Sequence, residues 1–174
     1  MKLNLGCGTD IKNGFVNVDN VKLSGVDVVH DLNKRLPFKD KSFNEIICLD
    51  VIEHISDTEK FMKEICRVAK PNSKITITTP HFSSVTAFTD PQHIRYFSAQ
   101  TIEFFIKGHN RSYYSSVEFN HLEYVHLSFD KHWYVPHLYL LELLLDNNIR
   151  AIRFYERYLC FIFPSDNIKW IIRS

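Results

Sequence analysis

Short apolar segments recur through the first half of the chain at the spacing of buried parallel strands. They predict strands at Lys2–Leu5, Phe15–Asp19, Asp27–His30, Glu45–Leu49 and Lys74–Thr78. Between the last two strands, Phe61, Ile65 and Val68 share one face of a helix. We expect that helix to occupy Asp57–Lys70 and to end before Pro71. Strands that alternate with a helix indicate a doubly wound α/β sheet.

The second half begins with a predicted helix and a long strand. Ser98 is a suitable N-cap for a helix over Ala99–Lys107, and Gly108 is a suitable residue to end it. Val117–Phe129 alternates apolar and polar side chains, which predicts a strand. A last strand is expected at Ile168–Ile172.

A Leu- and aromatic-rich region lies before that last strand. It predicts helices over Leu138–Tyr158 that break near Asp146–Asn148, within an insertion of about residues 131–164 that Pro164 ends. Its apolar stripe consists of Leu138, Leu141, Leu144, Leu145, Phe154, Tyr155, Tyr158 and Phe161. Such a stripe usually packs onto its own domain as core. A homodimer interface, an acceptor lid and a peripheral membrane contact are the alternatives, although the stripe lacks the dense Lys/Arg face of a membrane-binding helix.

The segments that connect the predicted strands and helices indicate how many domains the chain forms. No repeat, low-complexity segment or linker interrupts the sequence, so residues 1–174 are expected to form one domain. The connection from Leu5 to Phe15 is too short for a complete crossover, which normally takes at least about 10–12 residues including its helix. We therefore expect a truncated first crossover, with a tight loop in place of a helix.

Charge and cysteine content narrow the classes of protein. The net charge of +1, from 21 Lys and Arg against 20 Asp and Glu, argues against a dedicated nucleic-acid binder. The four cysteines are widely spaced without a CxxC pair, which indicates reduced thiols and a cytoplasmic protein. Met1 and Lys2 run directly into the first strand, so we expect no signal peptide. No apolar stretch reaches the length of a membrane span.

A glycine-containing loop follows the first strand and is the first candidate for chemistry. Gly6-Cys7-Gly8 would let a ligand approach the backbone, because glycine has no Cβ and tolerates positive φ. A dinucleotide fingerprint would need a third glycine at the position of Ile11, and there is no Gly-Lys-Ser/Thr of a P-loop. The loop therefore points to a ligand other than a dinucleotide.

Acidic residues close the next three strands of the predicted sheet. Asp19, Asp31 and Asp50 each stand at or directly after a strand end. Ligands of open α/β sheets bind outside the carboxyl ends of the strands, so these carboxylates should face the same cleft as the glycine loop. A carboxylate at Asp19 could accept both hydroxyls of a ribose, and one at Asp31 an adenine amino hydrogen.

The segments LNLGCGTD, GFVNVDN, VVHDL, LPFKDKSFNEIICLDVIEHI and AKPNSKITITTP resemble, in this order, the motifs of class I S-adenosylmethionine (SAM)-dependent methyltransferases of type 11. The resemblance covers about residues 2–80. It implies a mostly parallel seven-stranded sheet and SAM as cofactor. By resemblance, Gly6 and Gly8 approach the methionine part, Asp19 binds the ribose, and Asp31 with Leu32 holds the adenine. Asp50 and Val51 would line the sulfonium side, and the remaining residues of the expected cofactor set are Asn4, Cys7 and Asn20.

The loops after the fifth strand and the tail FYERYLCFIFPSDNIKW resemble small methyltransferases of surface-polysaccharide pathways. This implies O-methylation of a sugar or sugar-linked hydroxyl, on a small molecule or a glycan. A histidine could accept the hydroxyl proton as general base. We predict His93 or His81 for that role, His93 preferred, with Asp90 or Arg95 orienting the acceptor. The predicted substrate-binding residues are His54, Phe82, Arg95 and Tyr96.

Other functions stay open at this point. Asp50, Glu53 and His54 would share one face of a helical turn and could hold a divalent metal, but we expect the enzyme to be metal-free. The acceptor could instead be another small metabolite, such as a quinone precursor or a phosphorus-linked oxygen. A catalytically silent SAM-binding partner subunit is the candidate from a different class.

Overall fold

The computed structural model describes residues 1–110, 113, 115–130 and 136–174. Within these residues, seven strands form one sheet. They are β1 (Lys2–Leu5), β2 (Phe15–Asp19), β3 (Val28–Val29), β4 (Phe43–Leu49), β5 (Ala69–Pro80), β6 (His121–Ser128) and β7 (Asn167–Arg173).

The order across the sheet is β3-β2-β1-β4-β5-β7-β6. Strands β1 to β5 pair in parallel, and β7 lies antiparallel between β5 and β6. In the centre of the sheet, Leu3 pairs with Val16 on one side and Ile46 on the other. The predicted mostly parallel, doubly wound seven-stranded sheet is confirmed. Leu3, Leu5, Ile46 and Ile77 are fully buried, as side chains of a sheet covered on both faces must be.

Among the described residues, helices occupy the connections between β4 and β5, between β5 and β6, and between β6 and β7. Their bounds are α1 (Thr58–Val68), α2 (Thr86–Thr89), α3 (Pro136–Leu145) and α4 (Ile149–Tyr158), with 3₁₀ helices at Ile52–His54 and Thr101–Phe105. The side chain of Asp57 caps α1 by accepting the backbone N–H of Lys60 at 3.0 Å. The buried face of α1 contains Phe61, Ile65 and Val68, as its periodicity predicts. None of these helices is long and apolar enough to cross a membrane, in the part of the chain that the structure describes.

The helix predicted over Ala99–Lys107 is wrong. Only Thr101–Phe105 is helical, as a 3₁₀ helix, and its N-cap residue is Gln100 without a side-chain cap. The reason lies in the backbone of Ala99, whose N–H donates to Glu156 Oε1 at 2.6 Å and whose carbonyl accepts Trp170 Nε1 at 2.8 Å. The N–H bond would be compatible with a helix start, but the carbonyl that an α-helical turn from Ala99 would use as its acceptor is engaged by Trp170 instead.

The predicted insertion between the last two strands contains α3 and α4, although its residues 131–135 lie outside the described residues. The helices break where the sequence predicts, and the side chain of Asn148 caps α4 by accepting the N–H of Ala151 at 3.1 Å. The apolar stripe divides in two. Leu145 and Tyr155 are buried in the core, whereas Leu144, Phe154, Tyr158 and Phe161 are exposed.

The first crossover is truncated, as predicted. Residues 6–14 form turns that connect the parallel strands β1 and β2 without a helix. Two buried amides replace the missing helix: Asn4 Nδ2 donates to Asn17 Oδ1 at 3.0 Å and to the carbonyl of Asp10 at 2.9 Å. The same Asn17 Oδ1 accepts the N–H of Lys12 at 3.0 Å, so the loop is held from within.

Candidate active site

A cleft of about 340 Å³ lies at the carboxyl ends of β1, β2 and β4. Its lining residues are Gly6, Asp19, Asn20, Asp31, Leu32, Asn33, Asp50, Val51, His54, Ile55 and Gln92. This is the edge at which open α/β sheets bind ligands, and the volume lies within the range of small-molecule sites, about 300–1,000 Å³. The three carboxylates predicted at strand ends therefore face one cleft.

Gly6 brings the first loop against the end of β4. Its φ is +66°, and a Cβ at this position would lie 2.2 Å from Val51 Cγ2. No side chain fits that distance, so only glycine allows this close approach between the backbone and Val51, which itself lines the cleft.

Asp19 is oriented by two backbone groups. Its Oδ2 accepts the N–H of Gly8 at 2.7 Å, and its Oδ1 accepts the N–H of Val21 at 3.0 Å. Each carboxylate oxygen can accept a second hydrogen bond. A fixed pair of acceptors at the end of β2 suits the two hydroxyls of a ribose.

Asp31 lies beyond β3 and is held as an anion. Its Oδ1 accepts the backbone N–H of Asn33 at 3.0 Å, and this hydrogen bond is the main reason that the pKa of Asp31 is lowered. The side chain of Asn33 and the ammonium of Lys34, 3.6 Å from Oδ2, lower the pKa of Asp31 further. The carboxylate thus accepts hydrogen bonds at neutral pH, as an adenine amino group requires.

Asp50 closes β4 with a φ of +53°. Its Oδ1 accepts the hydroxyl of Thr78 at 3.0 Å and the amide of Asn167 at 2.8 Å. Strands β5 and β7 therefore fix the direction of this carboxylate at the cleft. The cleft fits SAM in its chemistry, since Gly6 and Val51 form part of its wall and the carboxylates of Asp19 and Asp31 supply hydrogen-bond acceptors.

Three of the predicted cofactor residues do not line the cleft. Asn4 is buried in the loop scaffold described above, because the truncated crossover needs its amide. The side chain of Cys7 is buried, and its N–H donates to the carbonyl of Val18 at 3.0 Å. Gly8 contributes through its N–H to Asp19 and not through the surface of the cleft.

Three residues that line the cleft are not among those predicted from sequence, namely Asn33, Ile55 and Gln92. Asn33 and Ile55 follow predicted site residues by one position each, so proximity in sequence was a usable signal. Gln92 reaches the cleft from the loop after α2, and only the fold places it there.

Glu53 ties the loop after α2 to the 3₁₀ helix. Its carbonyl accepts the N–H groups of Ile94 at 3.0 Å and Arg95 at 3.2 Å. Its carboxylate is buried, with Oε2 accepting the hydroxyl of Thr79 at 3.0 Å and Oε1 without a hydrogen-bond partner. Burial raises the pKa of Glu53 to about 7.

His93 and His54 lie beside this carboxylate. Nδ1 of His93 is 3.0 Å from the carbonyl oxygen of Ala87, and its Nε2 is 4.0 Å from both Glu53 Oε1 and Asp90 Oδ2. The ring of His54 packs edge-on against that of His93, with centroids 4.7 Å apart, and its Nδ1 is 3.2 Å from the carbonyl oxygen of Gln92. Of the two, His54 lines the cleft and His93 lies behind it.

His81, the other predicted base, does not line the cleft. It is fully buried, its Nδ1 accepts the N–H of Ser83 at 3.2 Å, and its Nε2 lies 3.3 Å from Glu156 Oε1. Its neighbour Phe82 packs against Phe161 with ring centroids 5.9 Å apart. These contacts join the end of β5 to α4 and its following turn, which is a structural role.

The remaining residues that were predicted to orient or bind the methyl acceptor lie on the loop after α2. Arg95 Nη2 donates to the carbonyl of Ser56 at 2.6 Å. Tyr96 stacks on Phe88 with centroids 4.6 Å apart, and both rings are exposed. Asp90 Oδ1 accepts the N–H of Gln92 at 2.8 Å, which positions Gln92 at the cleft.

The metal-ligand set predicted from sequence is only partly assembled. Among the described residues, the group that could hold a metal ion is Glu53, His54 and His93, whose ligand atoms lie within 4.8 Å of one another. Asp50 is not part of it, because Thr78 and Asn167 hold its carboxylate elsewhere. His93 takes its place from a separate loop.

Residues 3–77, less than half of the chain, match the sequence family described as a methyltransferase domain. Norajmaline N-methyltransferase of Rauvolfia serpentina is 45% identical over 51 residues, which are 29% of this chain and 17% of that enzyme. A SAM-dependent methyltransferase of Archaeoglobus fulgidus superimposes with a TM-score of 0.65 at 17% identity, over 99% of this chain and 85% of that one. One from Thermotoga maritima gives 0.60 at 17% identity, over 99% and 81% of the two chains.

The structural likeness defines the class: this is the class I methyltransferase fold. Residues 3–77 by themselves match the methyltransferase-domain family, and SAM is the cofactor that this match implies.

Proposed function

We propose that the protein is a SAM-dependent methyltransferase. The observation that carries this proposal is the set of fixed carboxylates around Gly6, in a cleft at the ligand-binding edge of a sheet with this topology. SAM supplies a methyl group on a positively charged sulfur. Asp19 would hold its ribose, Asp31 and Leu32 its adenine, and Asp50 would face the positive side.

The acceptor we propose is a hydroxyl of a sugar or sugar-linked group. Transfer to a hydroxyl needs alignment of its oxygen and removal of its proton. His54 lines the cleft and packs against His93, and Phe88 of α2 stacks on Tyr96 of the following loop to present an exposed aromatic surface. Aromatic rings pack well against the apolar faces of rings such as sugars. His93 would accept the proton with Asp90 or Arg95 orienting the acceptor.

Nitrogen is the competing acceptor atom, since one relative is named an N-methyltransferase. An amine carries its own lone pair once deprotonated, so it needs orientation more than a base. Replacement of His93 by Gln would therefore reduce turnover of a hydroxyl acceptor far more than turnover of an amine. A screen with labelled SAM over nucleotide sugars, glycan fragments, quinone precursors and amines tests both classes.

The direct test of the proposal is SAM binding by calorimetry. Asp19→Asn removes one charged acceptor and should weaken binding by about 1.5–3 kcal/mol, the contribution of a hydrogen bond to a charged group. Asp10→Asn is the matched control, because the Asp10 side chain is 60% exposed, forms an ion pair with Lys12 and does not line the cleft. Equal affinities in the two variants would contradict the proposed ribose site. Tight binding without turnover of any acceptor would favour a silent partner subunit.

We also propose that the exposed apolar part of α3 is where a second copy docks. Leu140, Leu143 and Leu144 are 58%, 73% and 59% exposed. Light scattering after gel filtration should give twice the chain mass, and Leu143→Glu should return it to the monomer mass. Monomeric wild-type protein that binds vesicles would favour the alternative, a peripheral membrane contact.

A further inference from the structure

The buried carboxylate of Glu53 has no explanation in the proposed cofactor site. Its side chain is 2% exposed, and Oε1 has no hydrogen-bond partner. A buried carboxylate oxygen without a partner is costly, and native proteins pair such an oxygen, protonate the group or use it to bind an ion. Within the described residues, its only neighbour at ion-pair distance is Nε2 of His93, at 4.0 Å, which is too long for a hydrogen bond.

The tautomers of the two neighbouring imidazoles are fixed by backbone carbonyls. A carbonyl oxygen only accepts, so Nδ1 of His93 must donate to Ala87 and Nδ1 of His54 to Gln92. In both rings the lone pair is consequently on Nε2. Histidines that bind metals almost always donate their other ring nitrogen to such a partner, which sets the ring orientation and makes the ligand nitrogen more basic.

We propose that Glu53, His54 and His93 bind a divalent transition-metal ion at the inner end of the cleft. Two imidazole nitrogens and one carboxylate suit Zn²⁺, Co²⁺, Fe²⁺ or Mn²⁺ better than Mg²⁺, which prefers oxygen ligands. Asp90 lies outside this group of three, although its Oδ2 is 4.0 Å from Nε2 of His93. This departs from our expectation of a metal-free enzyme.

The ligand atoms are close to binding distance. They lie within 4.8 Å of one another, whereas ligands around a tetrahedral zinc stand about 3.4 Å apart for bonds of about 2.0–2.1 Å. The approach of up to about 1.4 Å that remains must be made by side chains of two separate segments. The loop that carries His93 is held to the 3₁₀ helix by the hydrogen bonds to Glu53 described above, so side-chain rotations, and not a loop movement, would complete the site.

Binding of the ion is independent of the proposed methyl transfer, but its role rests on that function. Because His54 lines the cleft, an ion at this site would offer its open positions to an acceptor hydroxyl. A bound cation lowers the pKa of a coordinated hydroxyl, which would release its proton to solvent water, and the imidazoles would then act as ligands and not as the base. An acceptor with two neighbouring oxygens would be preferred, since both could reach the ion.

The test is titration of chelator-treated full-length protein with Co²⁺, followed by visible absorption and calorimetry. One equivalent should bind and give the intense absorption of a four- or five-coordinate site. Glu53→Gln and the His54→Ala/His93→Ala pair should each weaken binding by at least about 100-fold, since loss of a group behind a ligand already costs about 10–100-fold. His121→Ala, an exposed histidine on β6, is the matched control.

Absence of stoichiometric binding by the wild-type protein would overturn the proposal, as would equal affinities of wild-type protein and Glu53→Gln. Glu53→Gln is nearly isosteric, and circular dichroism verifies that each variant is folded. SAM affinity of the metal-free protein is measured in parallel. Intact SAM binding and turnover without Co²⁺ binding would refute the metal site alone, whereas metal binding without SAM binding would refute the proposed function alone.

Discussion

Replacement of Gly6 by Ala should damage the cofactor cleft through one added methyl group. The Cβ would lie 2.2 Å from Val51 Cγ2 and 3.1 Å from Cγ1, far inside a normal carbon contact of about 3.5–4.0 Å. Val51 packs at the end of a buried strand and cannot move away without disturbing the cleft that it lines.

Gly8→Ala is the matched control for the backbone effect. Gly8 also has a positive φ, +48°, but a Cβ there would meet nothing within 4 Å. An L-residue in the left-handed region costs about 1–2 kcal/mol, and both variants incur this. Only Gly6→Ala adds the overpacking, which costs about 1–3 kcal/mol.

The difference between the two variants therefore isolates the contact with Val51. For a chain of this size, about 1–3 kcal/mol corresponds to a further loss of about 2–12 °C in Tm, measured by thermal denaturation. We also expect Gly6→Ala to weaken SAM binding at least tenfold, about 1.4 kcal/mol, and Gly8→Ala, whose N–H orients Asp19, to weaken it less. Equal Tm and equal affinity for the two variants would refute the close approach of Gly6 and Val51.

Three further changes test the scaffold around the site. Arg67→Met should lower the free energy of unfolding at pH 7 by about 3 kcal/mol, because it leaves Glu64 without its bidentate partner at 2.7 and 2.9 Å. Burial alone would raise the pKa of Glu64, but the hydrogen bonds from Arg67 and Leu36 outweigh it, so its folded pKa lies below the unfolded value. The ion pair thus stabilises above the unfolded pKa, and urea titrations should show the difference shrinking as the pH falls below about 4. His81→Ala should cost about 3 kcal/mol of stability while the folded fraction binds SAM within twofold of wild type, and loss of SAM binding would contradict its structural role. Asn17→Ala should cost about 2 kcal/mol and also weaken SAM binding, since it releases the first loop; calorimetry that shows unchanged affinity would contradict this.

The strands could be predicted from sequence because their signal is local. The predicted bounds of β1 and β2 match the structure, since each is a short apolar run between polar turns. The predicted helix at Ala99 failed for the opposite reason. Its N-cap and terminator were plausible, but Glu156 and Trp170, each more than fifty residues away, had already engaged the backbone of Ala99. Tertiary hydrogen bonds of this kind leave no trace in a local pattern.

On the cofactor side of the cleft, too, some residues could be predicted from local sequence and others depended on tertiary contacts. Asp19, Asp31 and Asp50 were predictable because a residue that ends a parallel strand must stand at the ligand-binding edge. The burial of Asn4 and Cys7 was not predictable, although Asn4 precedes the glycine loop and Cys7 lies within it. Whether a side chain near a tight turn faces the ligand or the core depends on how the turn is supported, and here the truncated crossover draws Asn4 inward.

The acceptor side depends on a contact that connects it to the cofactor side. The carbonyl of Glu53 holds the loop of Ile94 and Arg95, its carboxylate faces His93, and the next residue, His54, lines the cleft. A ligand that contacts His54 therefore contacts the same 3₁₀ helix that holds the loop of His93. That helix has three residues and includes the buried Glu53, which contacts the His93 loop on one side and precedes His54 on the other. The two histidines therefore cannot move independently of the cofactor cleft. Binding at the cleft should consequently set the spacing of the two imidazoles, whether they serve as base or as metal ligands.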